Sequence, residues 1–116
     1  MTIHEHLRDL SMIDKILLLI CFHSLCDYPL QGDFLARGKN HRNPLPGVPW
    51  YQCLFAHAAI HGLAVGIVLG PWFGVSELAA HAMTDYLKSS GVLSFNVDQC
   101  IHLGCKLAWV ALYSCI

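Results

Sequence analysis

Charge is scarce in this chain. Asp, Glu, Lys and Arg make up 13% of its 116 residues, about half of the roughly 25% found in soluble domains. Between Arg42 and Glu77 there is none. No basic run occurs and the formal net charge is -1, so the electrostatic footprint that nucleic acid requires is missing. Cys-x-x-Cys and zinc-finger spacings are missing too. Of the six cysteines, Cys21, Cys26, Cys100, Cys105 and Cys115 fall within apolar segments and Cys53 stands beside one; a thiol there behaves as a small hydrophobe. The length leaves no room for a second core, and residues 1–116 read as one domain. No small-residue cleavage site follows the acid- and histidine-bearing N-terminus, so a cleaved signal peptide is not expected.

What abounds is apolar surface and histidine. Hydrophobic residues reach 55%, mean hydropathy is +0.49 and there are eight histidines, a balance that points to a membrane. Four helices are predicted, over about 11–28, 51–69, 72–89 and 96–116, with a polar segment at 30–50. Ser11 with Asp14 three residues on starts the first, and Pro29 stops it. Within the polar segment, Gln31 to Arg37 reads as a short helix before the turn-rich Asn43 to Pro49. Gly62, Gly66 and Gly70 recur every four residues along the second helix, a ridge that admits another helix closely. Asn96 with Gln99 resembles a capping box opening the fourth. The residues before Ser11 read as a frayed lead-in, with His4 and His6 at its surface.

Four pairs of metal-ligating residue types share one spacing: His23 and Asp27, His57 and His61, His81 and Asp85, Asp98 and His102. Residues four apart on a helix lie on one face, one turn from each other. Asp27 and Asp85 sit near helix C-termini, where the dipole disfavours an acid; Asp27 therefore calls for a positive partner. Asp98 is welcome in a first turn on the same ground, and His102 is what keeps it a candidate. For His57 and His61 the competing reading is a hydrogen-bonded core pair. Lys88 suits either an anionic transition state or the helix dipole, and Lys106 either pairs with an acid such as Glu77 or faces a polar seam. Arg37, Lys39 and Arg42 meet either an anionic substrate or, as basic residues at a membrane surface, lipid headgroups.

Short connections favour antiparallel neighbours, so an up-down-up-down transmembrane bundle is the expected all-α fold. Alternating direction then brings all four pairs to one level near one membrane face. Eight ligands exceed the four of one tetrahedral zinc and suit two cations bridged by a carboxylate. His and Asp without thiolates suit zinc, manganese or iron, with some of the eight orienting others. Arg37, Lys39, Arg42 and Lys88 against Arg8 and Lys15 put the site at the cytoplasmic face of the inner membrane. The bilayer is the expected partner, with a second copy of the chain or another membrane protein as further candidates.

At these residues the sequence resembles the family catalogued as domain of unknown function 3307, small membrane proteins of bacteria and phages. His23 to Gln31 carries His-x-x-x-Asp followed by Pro-Leu-Gln; His57 and His61 mark the second helix. His81, Asp85, Tyr86 and Lys88 follow, then Asp98, Gln99 and His102, so that the likeness spans about Leu18 to Trp109. That family is similar to predicted membrane-bound metal-dependent hydrolases, which is what favours hydrolysis over other metal chemistry. The resemblance implies water activated by metal attacking a phosphoester or similar bond at the lipid–water boundary. Lys88 or Arg37 would balance developing negative charge, while Asp33, Gln31 and Gln99 would position water or substrate. Two other readings stand beside it. One is a non-enzymatic membrane protein whose metal or polar core fixes the bundle and which binds a membrane partner. The other is ion or proton transfer, or haem ligation by opposed histidines.

Overall fold

The computed structural model describes residues 1–116 as six helices without a strand: α1 Ile3–Asp9, α2 Met12–Asp27, α3 Gly32–Gly38, α4 Trp50–Leu69, α5 Pro71–Ser89 and α6 Phe95–Ser114. Four long helices lie where they are expected, and two short ones accompany them. α1 is a capped turn rather than a frayed lead-in: the Thr2 hydroxyl accepts from the Glu5 N–H while the Thr2 N–H donates to the Glu5 carboxylate. Those Thr2 donors, backbone first, hold the Glu5 carboxyl below its usual range. Lys15 then closes the far end of α1, donating to the carbonyls of Arg8 and Leu10. Ser11 caps α2 by accepting from the Asp14 N–H.

The cap of α6 corrects one expectation. Ser94, not Asn96, accepts from a first-turn N–H, that of Val97 at 3.2 Å. Starting the helix there releases Gln99 from capping, and its amide turns inward.

α2 and α5 each pack against both α4 and α6, giving a four-helix ring in the order α2, α4, α5, α6. Asp27, late in α2, meets His57 and His61, early in α4, whereas Leu19 clusters with Val65, Val68 and Leu69. Those two helices are therefore antiparallel. A joint at Gly70, φ 105°, followed by Pro71 as the first residue of α5, reverses the chain again. The glycine ridge of α4 is used inside this chain: a Cβ on Gly62 would stand 2.7 Å from the Gly74 carbonyl, and one on Gly74 3.0 Å from Gly66 Cα. α5 thus lies almost backbone to backbone on α4.

Polarity runs opposite to that of a water-soluble bundle. Buried side chains include Lys15, His23, His57, His61, Glu77, His81, Asp85, Asp98, His102 and Lys106. Outward residues include Leu17, Phe55, Leu63, Ile67, Trp72, Met83 and Leu107. Across the four long helices the one fully exposed charged residue is Asp14. α4 alone is long and apolar enough, by length and composition, to cross a membrane. The charges that lower the hydropathy of α5 and α6 are Glu77, Asp85, Lys88, Asp98 and Lys106, and all but the partly covered Lys88 are buried.

Close helix contact at Gly74 makes a stability prediction. Gly74→Ala forces backbone apart and costs about 1–3 kcal/mol. Gly104→Ala, where a new Cβ meets nothing within 4 Å, is neutral or stabilising by up to about 1 kcal/mol. Thermal unfolding in detergent should separate the two; equal midpoints would contradict the close approach.

Candidate metal centre

The antiparallel ring brings all four spaced pairs to one interior level. α2 supplies His23 and Asp27, α4 His57 and His61, α5 His81 and Asp85, α6 Asp98 and His102. Asp27 Oδ1 lies 3.1 Å from His61 Nε2, 3.2 Å from His57 Nε2 and 3.9 Å from His81 Nε2; His57 and His81 face each other at 3.2 Å between Nε2 atoms. In a zinc tetrahedron with bonds of about 2.0–2.1 Å, neighbouring ligand atoms are about 3.3 Å apart. The observed separations lie near that edge, and the four ligand atoms are all within 4.8 Å of one another. His61 and His81, stacked at 3.7 Å, would have to tilt for both to face one ion.

A second group adjoins the first. His102 Nε2 is 3.0 Å from Asp85 Oδ1, and His81 Nε2 is 3.6 Å from Asp85 Oδ2. Each group is close enough to hold one ion. His81 Nε2 has one lone pair, so it serves one group at a time. Assigned to the second, it leaves two similar sets, Asp27 with His57 and His61, and Asp85 with His81 and His102. Both are two imidazoles and a carboxylate, with positions left over for water or substrate.

Charge balance singles out Asp27. Lys106 pairs with Glu77, Lys39 with Asp85, and Lys88 approaches Asp98 to 3.6 Å. Asp27 has no lysine; its neighbours are imidazoles and the Gln99 amide, which donates to Oδ2 at 2.8 Å. A carboxylate nearly buried among imidazoles is expensive unless a cation joins it. At the centre, His23 Nδ1 and His57 Nδ1 are buried without a hydrogen-bond partner.

Outside the two groups lie residues that orient them. Gln99 spans the site, its Oε1 3.0 Å from His23 Nε2 and its NH₂ reaching both Asp27 and Asp98. Asp98 Oδ1 lies 3.2 Å from His102 Nε2, in ion-pair range but without hydrogen-bond geometry. His81 Nδ1 faces Glu77 Oε1 at 3.4 Å, and Glu77 is itself fixed by Lys106 and by Trp109 Nε1 at 2.7 Å. A carboxylate behind an imidazole in this way sets its tautomer and raises its basicity. The Glu77–Lys106 pair was one of two options in the sequence. Trp109 carried no signal there, because an indole in an apolar helix reads as packing.

Gln31 touches the site from its edge, donating to the Asp27 carbonyl at 3.0 Å. Asp33 and Arg37 are not brought to it: they pair with each other at 3.3 Å on the exposed face of α3, one turn apart. The i,i+4 spacing that marks the centre elsewhere here yields a surface ion pair. Lys88 stands at the rim, with its ammonium over the Phe95 ring. Lys39 joins through Asp85, a long-range pairing that loop composition does not reveal. All six cysteines are free thiols, and none belongs to either ligand group.

The role of Glu77 is testable through metal affinity. Glu77→Gln should weaken binding about 10–100-fold while saturating metal still restores full occupancy. Trp109→Phe, which removes one donor to Glu77, should weaken it less. Competition with a chromogenic chelator reads both, and unchanged affinity in Glu77→Gln would remove its orienting role.

Neither a curated protein nor a solved structure matches the chain. A family model does, over residues 16–115, and that span includes every residue of both ligand groups. The chain therefore belongs to the family described as Protein of unknown function (DUF3307).

Proposed function

We propose that this protein is a metal-dependent phosphoesterase seated in the inner membrane, with its centre opening toward the cytoplasmic interface. The observation that carries the reading is the pair of adjoining groups, Asp27 with three histidines and Asp85 with two, that meet at His81. A bound divalent ion, zinc or manganese by donor type, supplies Lewis-acid activation of water and of a phosphoryl oxygen. In the reaction a water oxygen bonds to phosphorus, the phosphorus–alkoxide bond breaks, and a proton from water ends on the departing alcohol. Gln99 holds the Asp27 and Asp98 carboxylates in register, and Lys88 at the rim faces developing negative charge.

The membrane placement is supported by the outward apolar residues and by length. α4, α5 and α6, at 19–20 residues, extend about 30 Å, the thickness of a hydrocarbon core. α2 is shorter at 16 residues. Exposed Arg37 and Arg42 lie on the side of the centre, which favours the cytoplasmic face.

A second reading rests on the clustering of Asp27, His57, His61 and His81 within 4.8 Å of one another: one closed ion that ties the bundle together and leaves function to a membrane partner. Transport and haem ligation gain no support. The polar column ends at the packed layer of Leu19, Val65, Val68, Leu69 and Val110, and His61, His81 and His102 stack at 3.7–3.9 Å with no gap for a porphyrin.

Elemental analysis of protein purified gently in detergent, joined to a p-nitrophenyl phosphate assay, separates these. Two equivalents of metal and chelator-sensitive hydrolysis, reduced at least about 100-fold by His57→Ala and Asp85→Ala, are expected. One tightly held equivalent without hydrolysis favours the structural reading. Wild-type protein that neither carries nor takes up metal excludes both.

A further inference from the structure

A hollow of about 210 Å³ lies against the centre, lined by Ala36, Lys39, Asn40, Asp85, Lys88 and Ser89. Asp85 is the residue it shares with the ligand groups. We propose that this hollow is an anion subsite that holds the dianionic phosphoryl group of a phosphate monoester between Lys39 and Lys88. The inference rests on the phosphoesterase reading and names its substrate class.

Charge explains why two lysines stand here. Lys39 and Lys88 approach Asp85 and Asp98 respectively. A divalent ion on Asp85, beside His81 and His102, takes over the neutralisation that Lys39 provides in its absence. The Lys39 ammonium is then free to bind something else, Lys88 keeps an open side at 34% exposure beside Asp98, and the region changes sign. Asp27, Glu77, Asp85 and Asp98 carry four negative charges against three on Lys39, Lys88 and Lys106. With neutral imidazoles two dications turn that deficit of one into an excess of three positive charges, which suits a dianion and not a neutral substrate.

Donor type and size narrow the choice. Lysines bind phosphate as point charges. Asn40 Oδ1 accepts from the Arg42 N–H at 3.0 Å, leaving its NH₂ to donate, and Ser89 adds a hydroxyl at the wall. Several donors around one small space match the three terminal oxygens of a phosphoryl group better than the two of a carboxylate. The hollow, about 210 Å³, is many times the roughly 10–15 Å³ that a single water needs. It admits phosphate and the first atoms of its alcohol, so the remainder of a larger substrate stays outside.

The test is calorimetric titration of inorganic phosphate into metal-loaded, detergent-purified protein at low ionic strength, with metal content measured on the same samples. Lys39→Gln and Lys88→Gln should each weaken phosphate binding at least about 10-fold with metal content unchanged, and Lys88→Arg should stay within about 3-fold of wild type. Phosphate bound equally well by both glutamine variants, or not bound by the metal-loaded wild type, overturns the subsite while leaving the metal centre standing. Protein without metal removes the reading beneath it as well. Competition by glycerol 3-phosphate and by dihexanoyl phosphatidate identifies the source of the phosphoryl group: equal potency points to soluble monoesters, and stronger displacement by phosphatidate to a lipid headgroup.

Discussion

The structure depends on keeping opposite charges matched where water cannot reach them. Several kcal/mol accompany each ion withdrawn from water, and attraction between partners recovers that only with good geometry and further hydrogen bonds. Glu77 meets the requirement fully, held by Lys106, Trp109 and the His81 ring. Asp85 meets it through Lys39 and His102. Asp27 meets it only with dipoles and imidazoles. The matching is therefore complete at Glu77 and Asp85 and short by one charge at Asp27, where four ligand atoms cluster.

That spacing is a product of backbone packing. Imidazoles from α4 and α5 come within 3.2 Å of each other because Gly62, Gly66 and Gly74 let those helices nearly touch. A bulkier contact two turns below the histidines would separate His57 from His81 by more than a shared ion tolerates. Glycine at this seam and histidine at the site are parts of one geometric condition. Glycine also explains how the ridge serves within the chain, at Gly62 and Gly66 against Gly74.

Much of this was legible in the sequence, for a local reason. Four-residue spacing places two ligands on one face whatever the tertiary context, and alternating helix direction brings late residues of α2 and α5 level with early residues of α4 and α6. The shared level of His23, Asp27, His57, His61, His81, Asp85, Asp98 and His102 follows from those two rules, though His23 and Asp98, expected as ligands, stand outside both ligand groups. Where the rules meet surface instead of interior they mislead, as at Asp33 and Arg37, whose pairing is satisfied in water. Long-range partners chosen by side-chain reach leave no spacing behind. Lys39 to Asp85 joins a loop to a helix 46 residues away, and Trp109 resembles any packed aromatic until Glu77 is seen beneath it. The cap of α6 falls at Ser94, two residues before the Asn96 and Gln99 pattern, because the Ser94 hydroxyl accepts from the Val97 N–H.

The inverted polarity bears on where such a centre can work. In water, an exterior rich in Phe, Leu and Ile would drive association, and its removal from solvent would dominate the energetics. In a bilayer the same exterior is neutral, and the interior must supply whatever specificity the bundle has. Lysine pairs and histidine contacts then act beside the cluster of Leu19, Val65, Val68, Leu69 and Val110 in selecting one helix arrangement. A centre built this way has its stability and its ligand chemistry in the same residues. An ion that binds there would tighten the fold as it completes the site, which joins metal loading to assembly of the bundle.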